Sequence, residues 1–132
     1  MADGKPGTVV NVSSVHQTIP KPGYLGYSVS KGGMQNLTST LGLEYADRGI
    51  RVNAIAPAAT ITPINRAWVD DPVKAGMVTD HIPLRPADTA DEMAGLCAVL
   101  TSDDAAYVTG QTIFVDGGLT LYADVREPWS SE

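Results

Sequence analysis

Apolar positions follow two different periods along this chain. Thr8–Val12 reads Thr-Val-Val-Asn-Val, a β-branched run bounded by Pro6-Gly7 and Ser13-Ser14. It predicts a short strand covered on both faces. From Leu25 to Arg48 the period becomes helical, with Met34, Leu37, Leu41 and Tyr45 forming one stripe and Gly49 at the helix C′ position. Gly32, Gly33 and Gly42 each lower helicity by roughly 1 kcal/mol, so a close neighbour is expected to press on that helix. Ile50–Ala56 predicts a second strand, stopped by Pro57. Residues 57–87 carry five of the nine prolines and little periodicity, which predicts an irregular excursion with one short helix near 72–79. Thr89-Ala90-Asp91-Glu92 is a capping box opening a helix with Met93, Leu96, Cys97 and Leu100 on one face. Gln111–Val115 predicts a third strand, closed by Asp116-Gly117-Gly118.

Strand, helix, strand, helix, strand implies right-handed crossovers and a parallel sheet, so the class is α/β. Three strands are few for such a sheet, and no helix pattern precedes the first. The expected architecture is a partial doubly wound sheet lacking its N-terminal half.

Composition narrows the possibilities. A chain of 132 residues fits one small domain. With 43% hydrophobic residues but only 6% aromatic, its core must be built from Ala, Val, Ile and Leu. The net charge of −6 argues against a nucleic-acid partner, which needs dense Lys/Arg surface. The lone Cys97 cannot form an internal disulfide and is expected in the core. The longest apolar run, Met93–Leu100, is too short to cross a membrane, and residues 1–7 do not read as a secretory signal. A cytoplasmic protein without a metal or membrane partner is expected.

Ligands of a doubly wound sheet meet the carboxyl ends of its strands. Ser13-Ser14, Pro57–Pro63 and Asp116-Gly117-Gly118 should therefore share one rim, beside the helix carrying Tyr27 and Lys31. A phenol and an ammonium at i and i+4 lie one turn apart on one helix face. A phenol acting as acid/base at neutral pH needs roughly 4 kcal/mol of phenolate stabilisation. An ammonium about 4 Å away supplies on the order of 4 kcal/mol at an effective dielectric of about 20. The same spacing also arises by chance in helices, as a solvated pair worth a few tenths of a kcal/mol.

The ordered motifs decide between these. Gly7-Thr8-Val9-Val10-Asn11-Val12-Ser13-Ser14 is followed by Tyr27-x-x-x-Lys31. Then come Gly49-Ile50-Arg51-Val52-Asn53-Ala54-Ile55-Ala56-Pro57 and Tyr107-Val108-Thr109-Gly110-Gln111, leading to Asp116-Gly117-Gly118. Together they resemble the short-chain dehydrogenase/reductase family over nearly the whole chain, as its C-terminal half. The match is nearest to glucose 1-dehydrogenase-like members, through Ser13-Ser14-Val15-His16, Thr62-Pro63-Ile64-Asn65 and Gly117-Gly118-Leu119-Thr120-Leu121-Tyr122.

The resemblance implies a Rossmann-like fold and an oxidoreductase moving hydride between NAD or NADP and an alcohol or sugar. Tyr27 would exchange the substrate proton, Lys31 would assist it and hold the nicotinamide ribose, and Ser14 would orient the substrate. Pro57, Thr60 and Thr62 would line the nicotinamide side. His16 is either a substrate contact or a surface-loop histidine. Trp68 would belong to a substrate lid between Pro63 and Pro83, and Trp129 would pack a tail.

No Gly-x-Gly-x-x-Gly and no Thr-Gly-x-x-x-Gly-x-Gly occurs, so the turn that cradles a dinucleotide pyrophosphate is missing from this sequence. Pro57-Ala58 stands where the family usually has Pro-Gly. Two functions follow: the catalytic half of a dehydrogenase, inactive alone, or a non-catalytic half-domain that only self-associates or complements another chain. A homo-oligomer, built through the bared first strand or through Gln111–Val115, or a complementary N-terminal half is the expected partner.

Overall fold

The computed structural model describes residues 6–121. Three parallel strands form the main sheet in the order β1 (Gly7–Val12), β2 (Ile50–Pro57), β5 (Thr112–Val115). In register, Gly7 lies opposite Ile50 and Val12 opposite Ile55, while Ala54 faces Thr112. A two-residue parallel pair, β3 (Thr60–Ile61) with β4 (Asp88–Thr89), ties down the excursion between β2 and α4 (Ala90–Thr101).

Helix α1 (Leu25–Glu44) and α4 cover opposite faces of the sheet. Alternation along β1 shows this. The Asn11 amide donates to Thr38 Oγ1 on α1 at 3.0 Å, while Val10, pointing the other way, packs against the cluster of Ile55, Met93, Leu100 and Ala105 beneath α4. The capping box forms as expected: the Thr89 backbone N–H donates to Glu92 Oε2 at 2.7 Å, and Met93 and Leu100 are buried. Cys97 packs against the same core cluster. Arg51 satisfies the end of α4 by donating to the carbonyls of Leu100 and Ser102 at 2.8 and 3.0 Å.

Central strand β2 is the most buried element, and its one fully buried amide organises the approach to β5. Asn53 Nδ2 donates to the Val108 carbonyl at 2.8 Å, and Asn53 Oδ1 accepts from the Gln111 backbone N–H at 3.1 Å. Asn53→Ala would strand both backbone groups in the interior. Its expected cost is about 2–4 kcal/mol, read as a lower midpoint in urea unfolding; an unchanged midpoint would show the turn held by other contacts.

Several expectations are corrected. The helix predicted from Leu25 to Arg48 stops at Glu44. A separate 3-10 turn, Ala46–Arg48, follows, and Gly49 ends it at φ 69°. The inner face of α1 is carried by the buried Thr38 and Gly42, whereas Leu37 is 50% exposed. Close packing holds for Gly42 alone, where a Cβ would come within 2.6 Å of Gly110. Gly33 has nothing within 4 Å and Gly32 only a carbonyl at 3.8 Å. β1 is covered only in part on each face: Val9 is 41% and Val12 56% exposed, and β2 is its only partner strand among the described residues. The excursion contains the expected helix as α3 (Pro72–Thr79), capped by Asp71. It also holds an unforeseen single turn, α2 (Arg66–Val69), which carries Trp68. Tyr122 and Trp129 lie outside the described residues.

Candidate active site

The chain leaves β1 at Ser13-Ser14, both buried. Ser14 is extended, and its Oγ accepts the His16 backbone N–H at 3.2 Å, capping the 3-10 turn Val15–Gln17. That turn sends the chain back over the strand end. His16 Nδ1 lies 3.1 Å from the Ile19 carbonyl oxygen. A carbonyl only accepts, so Nδ1 is the donor in this contact and Nε2 points elsewhere.

Helix α1 then delivers Tyr27 and Lys31 to the same place. The Lys31 ammonium donates to the Val12 carbonyl at 2.8 Å and stands 5.6 Å from the centre of the Tyr27 ring. Among the described residues it is held over the ring by the last carbonyl of β1 and not by a partner carboxylate, so its charge stays available to the site. The His16, Tyr24 and Tyr27 rings close a triangle with centroid separations of 6.1, 6.1 and 6.2 Å. Edge-on contacts of this kind favour a fixed mutual orientation. Tyr27 nevertheless remains 43% exposed, open to a ligand. Ser14, His16, Tyr27 and Lys31 therefore converge at the carboxyl end of β1.

The second group sits one strand over. Pro57 ends β2 opposite Val115, and Thr60 opens β3, its carbonyl accepting from Asn65 Nδ2 at 2.7 Å. Ala58 has no positive φ, so alanine fits where relatives often carry glycine. Parallel pairing puts Pro57, Thr60 and Thr62 on the same rim as Ser14. No hydrogen bond among the described residues joins them to Tyr27 or Lys31. Thr62 Oγ1 is buried without a hydrogen-bond partner among those residues, and so is Ser28 Oγ, next to Tyr27.

The third strand end is a turn in which Asp116 accepts the Gly118 and Thr120 backbone N–H groups at 3.0 and 2.8 Å. Gly117, at φ 60°, accepts the Leu84 N–H at its carbonyl oxygen at 3.0 Å, and a Cβ there would meet Ile82 at 2.6 Å. Glycine is required on both counts. Beside it opens a cavity of about 710 Å³ lined by Leu84, Asp88, Met93, Val115 and Gly117 among others. Burial raises the Asp88 carboxyl above the ordinary carboxylate range, against the lowering effect of a Thr60 hydrogen bond, with Glu92 and Asp116 adding repulsion. Its folded form therefore binds a proton more readily than the unfolded chain does. Stability should fall as pH rises through that window and stay lower above it. Asp88→Asn should accordingly raise the melting temperature at pH 7 and change it little at a pH below the ordinary carboxylate range. A variant that melted lower at pH 7 would show the charged form to be favourable.

Sequence reasoning missed three contributors. Gln17 accepts from Ser13 Oγ at 2.6 Å and so braces the strand end. Asn11 pins α1 through Thr38. Tyr24 completes the aromatic triangle; the i, i+3 spacing of two tyrosines was its only sign.

For a nicotinamide dinucleotide the fit is partial. The orphaned Thr62 hydroxyl, the Lys31 ammonium and the Tyr27 phenol suit its nicotinamide-ribose end. No glycine-rich strand-to-helix turn is present for its pyrophosphate. Among the described residues no group of His, Cys, Asp or Glu could hold a metal, and no helix is long and apolar enough to cross a membrane.

Comparison with known proteins gives the same assignment. A family model described as Enoyl-(Acyl carrier protein) reductase matches residues 1–120. A glucose 1-dehydrogenase of Gluconobacter oxydans is 53% identical over 99% of this chain and 49% of its own length. A 3beta-hydroxysteroid dehydrogenase 1 of Eggerthella lenta is 52% identical over 89% of this chain and 45% of its own. The crystal structure of a gluconate 5-dehydrogenase from Burkholderia cenocepacia, in complex with NADP and tartrate, superposes with a TM-score of 0.84 at 35% identity. That superposition covers 90% of this chain and 46% of the other. The chain thus spans about half the length of the relatives it matches. With its motifs in order at the carboxyl ends of a Rossmann-type sheet, it belongs to the short-chain dehydrogenase/reductase family.

Proposed function

We propose that this chain supplies the catalytic half of an oxidoreductase that moves hydride between NAD or NADP and the carbinol carbon of an alcohol or sugar. The observation that carries the proposal is the convergence of Ser14, Tyr27 and Lys31 on the end of β1, with the ammonium over the phenol ring and, among the described residues, free of any carboxylate. Relatives named for glucose, gluconate and hydroxysteroid oxidation support a secondary alcohol or a sugar as substrate.

In the oxidative direction Tyr27, as phenolate, takes the hydroxyl proton while the carbinol C–H leaves with its electron pair as hydride. When bound, a nicotinamide would supply the acceptor for that hydride. Ser14 donates to the substrate oxygen and holds it beside the phenol. Lys31, held over the Tyr27 ring by the Val12 carbonyl, offers its remaining protons to ribose hydroxyls. His16, with Nδ1 committed to Ile19, presents Nε2 to a second substrate hydroxyl. Thr62, with Pro57 and Thr60, would hold the nicotinamide side of a bound dinucleotide. The pyrophosphate cradle comes from a glycine-rich half joined to β1 in cis or in trans.

The test completes the chain with the unmatched half of the Gluconobacter oxydans relative and supplies NAD, NADP and a panel of sugars and secondary alcohols. Reduced nicotinamide should accumulate with at least one substrate. A folded, dinucleotide-binding product that reduces nothing across the panel would favour the second possibility, a half-domain that only associates, for which the missing glycine turn is the supporting observation.

A further inference from the structure

Charge is divided unevenly along this acidic chain. Of its 15 acidic residues none lies between Asp3 and Glu44, a stretch that holds Lys5, Lys21 and Lys31 as well as His16. That stretch builds the end of β1 and the start of α1, so the mouth of the site carries cations in a protein whose net charge is −6.

Lys21 is placed there by a turn. Lys21-Pro22-Gly23-Tyr24 has proline at the second position and glycine, at φ 80°, at the third, and the Tyr24 N–H donates to the Lys21 carbonyl at 3.1 Å. These are the features of a type II turn, in which the third residue needs φ above zero and the first and fourth are brought together. Here that puts the Lys21 ammonium 4.2 Å from the centre of the Tyr24 ring. Tyr24 lies edge-on to Tyr27 at 6.1 Å, and Lys31 closes the row at 5.6 Å from Tyr27. The result is a ladder of cation, ring, ring, cation at positions 21, 24, 27 and 31, with His16 against both rings. Tyr24, like Tyr27, is 43% exposed, and Lys21 forms no salt bridge among the described residues.

The two ends of the ladder differ in what they can do. Lys31 is committed to the Val12 carbonyl and the Tyr27 ring. Among the described residues Lys21 is held only by the face of an aromatic ring, which orients an ammonium without neutralising it. A group with a hydroxyl at Tyr27 and a negative charge a few carbons away would span the distance across the Tyr24 ring.

We propose that the Lys21–Tyr24 turn recognises the carboxylate of a hydroxy-acid substrate whose hydroxyl lies at Tyr27, so that the site takes sugar acids in preference to neutral sugars. This rests on the proposed dehydrogenase activity and names its substrate class. The Tyr24 ring packs against the carbon backbone between the two ends, and Lys21 supplies the charge.

The test titrates the isotope-labelled 132-residue chain with D-gluconate and D-glucose and follows the Lys21, Tyr24 and Tyr27 signals by NMR. Gluconate should shift them and bind about fivefold more tightly than glucose, the scale of a partly exposed ion pair. Added salt should erode that margin, and Lys21→Met should bring the ratio to one while Lys21→Arg keeps it. Equal affinities, a gluconate preference that survives Lys21→Met, or no shift at these residues with either sugar would overturn the proposal. Failure of the dehydrogenase activity would read differently. A Lys21-dependent preference for gluconate in a completed protein that transfers no hydride would leave the carboxylate site standing. Turnover of glucose and gluconate with equal kcat/KM would do the reverse.

Discussion

Tyr27→Phe in the completed protein should lower turnover by about 10³-fold or more, near the upper range for removing a positioned acid/base. The size follows from the surroundings of the phenol. Of the groups gathered at the end of β1, Ser14 is occupied by the His16 N–H and Lys31 by the Val12 carbonyl. His16 has its protonated nitrogen committed to Ile19. In the proposed arrangement Ser14 and Lys31 act only as donors and His16 meets a second hydroxyl, so none of them replaces the phenol at the reacting one. The aromatic triangle keeps its geometry in the variant, since ring packing does not involve the phenol oxygen. Substrate KM should therefore change far less than kcat. Lys31→Met should be nearly as damaging, by removing the one cation over the Tyr27 ring among the described residues. Steady-state rates of reduced nicotinamide formation check both. A Tyr27→Phe protein with more than a tenth of the parental kcat would mean that another group carries the proton.

Supplied alone, the 132-residue chain should not behave as a monomer. β1 presents one edge of unpaired backbone donors and acceptors among the described residues, with Val9 and Val12 exposed beside it. Such an edge is a template for another strand. On α1, Leu25, Val29, Leu37 and Leu43 are 80, 67, 50 and 82% exposed, and Gly33 has open space above it. These side chains leave an apolar surface on the element next to the bare edge, where a partner gains both strand pairing and burial. The occupant we expect is the glycine-rich half whose strands would continue the sheet past β1; without it, a second copy of this chain takes its place. Light scattering should return a dimer or larger species, and adding the complementary half should convert it to a one-to-one complex. A cooperatively melting monomer at micromolar concentration would show that the edge and the helix face are satisfied within the chain.

The strands and their ends were legible because β-branched runs stopped by Pro, Ser-Ser and Asp-Gly-Gly leave few alternatives. β2 and β5 differ from the expected spans by single residues. The capping box located α4 for a similar reason, since reciprocal bonds between Thr89 and Glu92 need that spacing. The stripe on α1 misled because it assumed that Leu37 outranks Thr38. Asn11 offers a hydrogen bond and Gly110 offers no room, so the helix turns Thr38 and Gly42 inward. Asn53 gave no sign of its role, because its partners, Val108 and Gln111, lie more than fifty residues away and meet it only once β5 is placed. At the candidate site, the meeting of Ser14, Tyr27 and Lys31 at the end of β1 was readable from motif order. The Lys21–Tyr24 turn was also written in the sequence, as Pro-Gly between a cation and an aromatic, but its closeness to Tyr27 depends on how Val15–Gln17 folds the chain back.

The central claim, that these residues are one half of a hydride-transfer site, is tested most directly by measuring nicotinamide reduction in three samples at equal concentration. They are the 132-residue chain alone, the complementary glycine-rich half alone, and the two combined. Each receives NAD or NADP and the best substrate from the panel. Turnover in the combined sample only, abolished there by Tyr27→Phe, is the predicted result. Turnover by the chain alone, or none from a combined sample that is folded and binds dinucleotide, would contradict the claim.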